Sequence, residues 1–302
     1  MASIFTNINR RFNAGSIAAK YIYINVGVFI LIRLLIIIFR LFMKEANFLL
    51  YLEIPSSPEL FAQRPWTIIT YMFVHIDFLH ILFNMLWLYW FGNIFLQFFT
   101  GRQLGGLYLL GGIAGGAFFL LTYNLFPYFK LLSTMNFLAG ASASVMAIVF
   151  AVSFYRKDYS INLLLIGKIK LIYLAIGVLL IDILAITSEN SGGHIAHIGG
   201  ALLGILFSVQ YQKQKDITGL INKTVDRIVN FFSRKPVFKT YCTKSRPANS
   251  PNSRHSESDD AYLRRKYEEN RIIDHILDKL KRSGYESLSN DEKKKLFDAS
   301  RN

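Results

Sequence analysis

A hydroxyl, two imidazoles and a carboxamide stand in runs of sequence otherwise built from hydrocarbon side chains. His80 and Asn84 lie four apart, which puts both on one face of a helix. Ser142 sits in the run Gly140-Ala141-Ser142-Ala143-Ser144, which has almost no side-chain bulk. His197 is followed by Gly200 and Gly204, a Gly-x-x-x-Gly pair on its own face. A serine hydroxyl is a poor nucleophile until a neutral imidazole takes its proton. That makes Ser142 the candidate nucleophile and His197 the candidate base. The oxyanion such an attack creates needs preorganised donors, and His80, the Asn84 amide and the backbone N–H of Ser142 are the candidates. No carboxylate falls near enough in the sequence to complete a triad, so the expectation is a Ser–His dyad. Asp182 reads as a structural hydrogen-bonding residue, and His75 and His194 read as structural too.

A metal is the rival use of imidazoles. His194-x-x-His197 together with His80 suggests one, yet no His-Glu-x-x-His is present and no carboxylate in an apolar run is placed to help. Neither a metal nor another cofactor is expected. The single Cys242 makes an internal disulfide impossible.

The elements that must position these groups are long apolar runs. Hydrophobic residues make up 52% of the 302, and they are massed rather than alternating, which favours a membrane over a soluble core. Six stretches, at about 21–43, 78–99, 104–126, 137–155, 171–187 and 195–211, approach the length needed to cross roughly 30 Å of hydrocarbon as helices. The predicted fold is therefore all-α, a polytopic six-helix bundle with a soluble C-terminal helical tail. Polar side chains are costly in hydrocarbon, so those that occur there are paired or functional. Small residues let helix backbones approach closely, and Ala143, Ala147 and Ala151 continue a small ridge that matches the glycines after His197.

Charge orients the spans. With the N-terminus inside, inner segments carry Arg10, Arg11, Lys20, Arg102, Arg156, Lys157, Lys168, Lys170, Lys213 and Lys215, against Lys44, Arg64 and Lys130 outside. Basic residues stay cytoplasmic, so both chain ends are expected inside, with a bacterial inner membrane as the expected bilayer. The net charge of +14 then reflects ends facing anionic lipid, and no nucleic-acid partner is expected. Membrane lipid is the partner this charge pattern implies. Arg33 and Arg40 share a face of the first span, and the reading for them is snorkelling or pairing with backbone carbonyls. The outer loop 44–65 is rich in apolar and aromatic residues and is expected to lie in the interface.

Four segments follow: a cytoplasmic N-terminus at 1–20, the membrane domain at 21–211, a basic linker at 212–258 and a small helical hairpin at 259–302. In the hairpin, Ile272, Ile273, Ile276, Leu277 and Leu280 repeat at helical spacing. Gly284 is placed to stop that helix, and Ser289 with Glu292 forms a capping-box pattern.

At these residues the sequence resembles the rhomboid family of intramembrane serine proteases, over about residues 65–211. The resemblance rests on His75-Ile-Asp-Phe-Leu-His80-Ile-Leu-Phe-Asn84, Gly140-Ala-Ser142-Ala and Ala196-His197-Ile-Gly-Gly200-Ala-Leu-Leu-Gly204. It implies that Ser142 is the nucleophile, His197 the base, and His80 and Asn84 the oxyanion-hole side chains. It further implies a water-filled cavity opening outward and substrates that are single transmembrane helices. Four positions depart from the family pattern: Ala143 follows the serine where a glycine is usual, Thr67 follows Trp66 where an arginine is common, Gln97 replaces a glutamate, and Met146 replaces an aromatic. A catalytically silent rhomboid-like escort protein and a transporter are the competing classes. The Ser and His argue against the first, and the lack of repeats against the second.

Overall fold

The computed structural model describes residues 15–45, 47–132, 136–163, 167–232, 276, 279–280 and 287–293. The chain divides into two compact units, Met1–Pro236 and Val237–Asn302. Among the described residues, the first unit is built on seven longer helices: α1 (Ile17–Leu41), α2 (Phe78–Phe95), α3 (Gly101–Leu125), α4 (Ser142–Tyr155), α5 (Leu171–Leu184), α6 (Ser191–Gln212) and α7 (Gly219–Phe232). Of these, α1, α2, α3 and α6 are long and apolar enough to cross a membrane, and α4 and α5 are apolar helices of 14 residues each.

The order of burial explains the arrangement. Every residue of α4 from Ala143 to Ser153 is buried, so α4 is the axis of the bundle. Helices α6 and α3 pack against it closely because glycines face it. A Cβ added to Gly200 would stand 2.1 Å from the Ala143 carbonyl oxygen, and one on Gly204 would stand 2.3 Å from that of Ala147. On the other flank, Cβ atoms on Gly111 and Gly115 would each lie 2.4 Å from the Cβ atoms of Ala147 and Ala143. These are the backbone approaches that small residues permit between helices in hydrocarbon. The methyl that Ala143 carries in place of the family's glycine is thus housed against Gly115 of α3.

Helix α1 is peripheral, with Ala18, Asn25, Ile32 and Ile36 its buried residues. Its polar Asn25 is satisfied there, donating to the Tyr21 carbonyl at 2.8 Å and to the Tyr108 hydroxyl at 3.0 Å. Tyr108 in turn donates to the Met72 carbonyl at 3.0 Å, a chain of bonds that ties α1 and α3 to the turn before α2. Arg33 donates to the Ile76 carbonyl at 3.3 Å, the backbone pairing expected for it. Helix α3 begins on a capping box, with Thr100 and Gln103 bonding each other's backbone N–H groups.

The structure departs from the all-α expectation in two antiparallel strand pairs: β1 (Ile54–Pro55) with β2 (Phe137–Leu138), and β3 (Ser160–Leu163) with β4 (Gly167–Lys170). The first pair corrects the run expected to be helical from Phe137. Phe137 and Leu138 are extended because they pair with the loop between α1 and α2, and Gly140 follows at φ +123°, a left-handed-side backbone that ends any helix propagating through it. Helix α4 therefore begins at Ser142 itself. That loop is stapled from within: Arg64 donates to the Leu50 carbonyl at 2.9 Å and lies over the Tyr51 ring, and Trp66 donates to the Tyr51 carbonyl at 2.8 Å. Arg64 thus supplies to this loop a guanidinium that position 67 lacks. Gln97 accepts from the Tyr159 hydroxyl at 3.1 Å.

The segment read as a linker from residue 212 begins instead with helix α7. Its apolar residues are spread through a polar segment, so average hydropathy hides a period that folding reveals. In the second unit, Ile276 and Leu288 are buried, and the capping box forms: Ser289 N–H donates to Glu292 Oε2 at 2.7 Å and Glu292 N–H to Ser289 Oγ at 3.3 Å. The Ser289 N–H and Lys279 hold the Glu292 carboxyl down at about 2. Ile272, Ile273, Leu277 and Gly284 lie outside the described residues, as do residues 1–14 of the N-terminal segment.

Candidate active site

Helices α2, α4 and α6 start on one side of the bundle, and the candidate residues lie near those starts. His80 is on the first turn of α2, Ser142 is the first residue of α4, and His197 is on the second turn of α6. All of them, with Asn84, line one cavity of about 350 Å³, together with Leu79, Phe83, Trp87, Val178, Asn190 and Gly193. The structure therefore brings the four sequence-predicted site residues together. Met146 lines the same cavity, one turn after Ser142.

Asp182 was not expected here. It lies near the end of α5, is 3% exposed, and its Oδ1 stands 2.9 Å from His197 Nδ1 and 2.8 Å from His194 Nδ1. This corrects the reading that no carboxylate reaches the imidazole. The physical reason is the tight α5–α6 hairpin, which folds the last turn of α5 against the first two turns of α6. His194 and His197, three apart, share the face that meets it. An Nδ1–H bonded to a carboxylate leaves Nε2 as the lone-pair nitrogen of a neutral imidazole. The same three side chains are, among the described residues, a group whose donor atoms lie within 4.8 Å of one another, spacing that a metal ion also accepts. Asp182 is thus the carboxylate beside His194 and His197 that the sequence alone does not reveal. What the distances describe is one oxygen accepting two N–H groups.

Ser142 gains from its position at the head of α4. The first N–H groups of a helix have no partner within it and carry the positive end of the helix dipole, so the Ser142 amide is a ready donor to an anion. The strand entering α4 is held from several sides: Gly140 N–H donates to the Tyr71 carbonyl at 2.9 Å, and Ala141 N–H donates to His75 Nε2 at 3.2 Å. His75 therefore has the structural role expected of it, anchoring the serine strand. Its ring meets His80 edge to face at 5.1 Å. A Cβ on Gly140 would stand 2.7 Å from His80 Cε1, so glycine there is what lets His80 sit against the serine strand. Asn84 donates through Nδ2 to the His80 carbonyl at 2.9 Å, which uses one amide hydrogen and leaves the second.

Residues 62–214, which include every side chain of this cavity, match the Rhomboid domain family. The chain belongs to the rhomboid family. It is, with its long apolar helices, a polytopic integral membrane protein. Residues 257–302 match a second family, of unknown function (DUF6576). The chain is also similar to RHOMBOID-like protein 12, mitochondrial, of Arabidopsis thaliana, at 30% identity over 198 residues, which is 63% of this chain and 56% of that protein. The rhomboid chain thus spans about half the length of that relative. A relative named as mitochondrial lends no support to the expected bacterial membrane.

Proposed function

We propose that this rhomboid is an intramembrane serine endopeptidase that cuts transmembrane segments of membrane proteins, with Ser142 as nucleophile and His197 as base. The observation that carries the reading is the convergence of Ser142, His197, His80 and Asn84 on one cavity, with Asp182 bonded to the far nitrogen of the His197 ring. In this reading all six apolar helices α1 to α6 lie within the bilayer, both chain ends are on the side rich in Lys and Arg, and the cavity opens to the opposite side.

The chemistry follows from the side chains. Ser142 Oγ attacks the scissile carbonyl as His197 Nε2 takes its proton. The imidazolium so formed is stabilised by Asp182, which makes the arrangement a triad in which the carboxylate orients the ring, in place of the dyad read from sequence. The oxyanion is received by the Ser142 backbone N–H at the head of α4, by His80 and by the second hydrogen of the Asn84 amide. His197 returns the proton to the leaving amine, and water entering the cavity hydrolyses the acyl-enzyme by the same steps in reverse. An apolar wall of Leu79, Phe83, Trp87 and Val178 suits a hydrocarbon-rich substrate segment.

The test is cleavage of a model transmembrane substrate by purified protein in liposomes, alongside labelling by a serine-directed fluorophosphonate. The wild-type chain is expected to cleave and to label at Ser142, and Ser142→Ala to do neither while keeping its thermal midpoint. Cleavage retained by folded Ser142→Ala refutes the assignment. A folded wild-type chain that neither cleaves nor labels identifies a silent member of the family.

A further inference from the structure

Helix α7 has two sides with different partners. In Gly219-Leu-Ile-Asn-Lys-Thr-Val-Asp-Arg-Ile-Val-Asn-Phe-Phe232, a turn of 100° per residue gathers Leu220, Ile221, Val225, Ile228, Val229 and Phe231 into one half of the wheel. Asn222, Lys223, Asp226, Arg227 and Asn230 fill the other half. One edge of the polar half is fastened to the membrane bundle. Arg102 at the head of α3 pairs with Asp226. Gln103 donates to Asp216 at 3.0 Å, and Asp216 caps the turn into α7 by accepting from the Thr218 N–H at 2.8 Å. Gly106 leaves room for Thr218 and Asn222, since a Cβ there would lie 2.7 Å from Thr218 Cβ. So fastened, α7 turns Leu220, Ile228 and Val229 away from the helices of its own unit, at 79%, 54% and 53% exposure.

An apolar flank of this size is out of place in water. The position of α7 says what meets it. The helix starts seven residues after α6 ends, and α6 is a helix long enough to span, so α7 leaves from the membrane surface. Lys223 and Arg227 border the exposed apolar residues on the wheel, and Lys213 and Lys215 precede them, whereas both acids of the segment, Asp216 and Asp226, are engaged by α3 or its own turn. Apolar residues in one arc with basic residues at its edge are the pattern of a helix lying in the bilayer interface, its cations among anionic headgroups.

We propose that α7 is an in-plane lipid-binding helix that seats Leu220, Ile228 and Val229 among acyl chains and holds the head of α3 to the membrane surface through Arg102 and Gln103. The test uses the full chain with Cys242→Ser and single cysteines introduced as Leu220→Cys, Ile228→Cys or Lys223→Cys, each carrying a small environment-sensitive fluorophore. The proteins are reconstituted in phosphatidylcholine vesicles with or without phosphatidylglycerol. A quencher carried on lipid near the headgroup is expected to quench labels at 220 and 228 several-fold more than at 223, with aqueous iodide giving the reverse order. Omitting phosphatidylglycerol or raising salt is expected to weaken lipid quenching at 228, and no change overturns the headgroup contact. Iodide quenching at 220 and 228 equal to that at 223 overturns the proposal. So does shielding from both quenchers, which identifies a covering protein surface, either residues 257–302 or a second copy. The readout is position and not cleavage, so its failure leaves the proposed protease activity untouched.

Discussion

Replacing Asp182 by asparagine tests the least expected part of the site. The substitution keeps the size of the side chain and removes its charge, so the bundle is expected to fold. In a Ser–His–Asp arrangement whose carboxylate serves one imidazole, the same change costs about 10⁴ in kcat, or roughly 5.5 kcal/mol at 1.36 kcal/mol per factor of ten. Here one oxygen serves two imidazoles, at 2.9 Å from His197 and 2.8 Å from His194. If its stabilisation divides evenly, the share acting on the base is about 2.7 kcal/mol, a loss of roughly a hundredfold. The assay is initial-rate cleavage of a transmembrane substrate in liposomes, with the fluorophosphonate labelling rate as a measure that does not depend on the substrate. His194→Gln leaves Asp182 to His197 alone and is expected to keep cleavage within about tenfold of the parent. An Asp182→Asn protein that folds and cleaves within about twofold of the parent refutes the reasoning, and the base then works in a dyad without carboxylate help.

Three further outcomes follow from the geometry. Gly140→Ala places a Cβ 2.7 Å from His80 on a backbone at φ +123°, so it is expected to cost about 1–3 kcal/mol in thermal stability and most of the cleavage rate. Gly200→Ala, whose Cβ would meet the Ala143 carbonyl oxygen at 2.1 Å, is expected to lower the thermal midpoint strongly, whereas Gly177→Ala, with nothing within 4 Å of its Cβ, is expected to leave stability unchanged or raise it by up to about 1 kcal/mol. Glu53, in the loop between α1 and α2, has its carboxyl pushed up to about 7 by burial. The folded protein therefore holds a proton that the unfolded chain releases, so stability is highest below about pH 4.5 and falls as pH rises to about 7, by an amount on the order of 3 kcal/mol. Glu53→Gln is expected to flatten that slope in thermal unfolding measured across this range.

What was legible in the sequence was what spacing alone encodes. The small residues at four-residue intervals on α4 and α6 announced a close helix pair, and the contacts of Gly200 and Gly204 with Ala143 and Ala147 are that pair. His80 and Asn84 share a face because helices repeat. Asp182 was missed because its partner is reached across a turn: fifteen residues along the chain say little about distance unless the hairpin is drawn. A signal was present, since an acid in the last turn of one apolar helix and two histidines in the first turns of the next lie at similar depth. The start of α4 was missed because hydropathy counts side chains, while strand pairing with Ile54 and a glycine at positive φ are backbone facts with a distant partner. Helix α7 was hidden for another reason: its mean composition is that of a linker, and only the angular distribution of its residues is helical.

The burial of α4 has a consequence for how the bilayer reaches the chemistry. Fourteen residues make a rod of about 21 Å, too short to match a hydrocarbon slab of roughly 30 Å. A lipid-facing helix of that length would feel every change of bilayer thickness through mismatch. With each residue from Ala143 to Ser153 enclosed by neighbours, α4 touches no acyl chain along that stretch, and the helix that carries Ser142, the proposed nucleophile, at its head is set by its neighbours and not by the lipid. Thickening or thinning the membrane is therefore expected to reach the proposed site through the outer helices, above all α5, which carries Asp182 and exposes Tyr173, Leu180, Ile181 and Leu184.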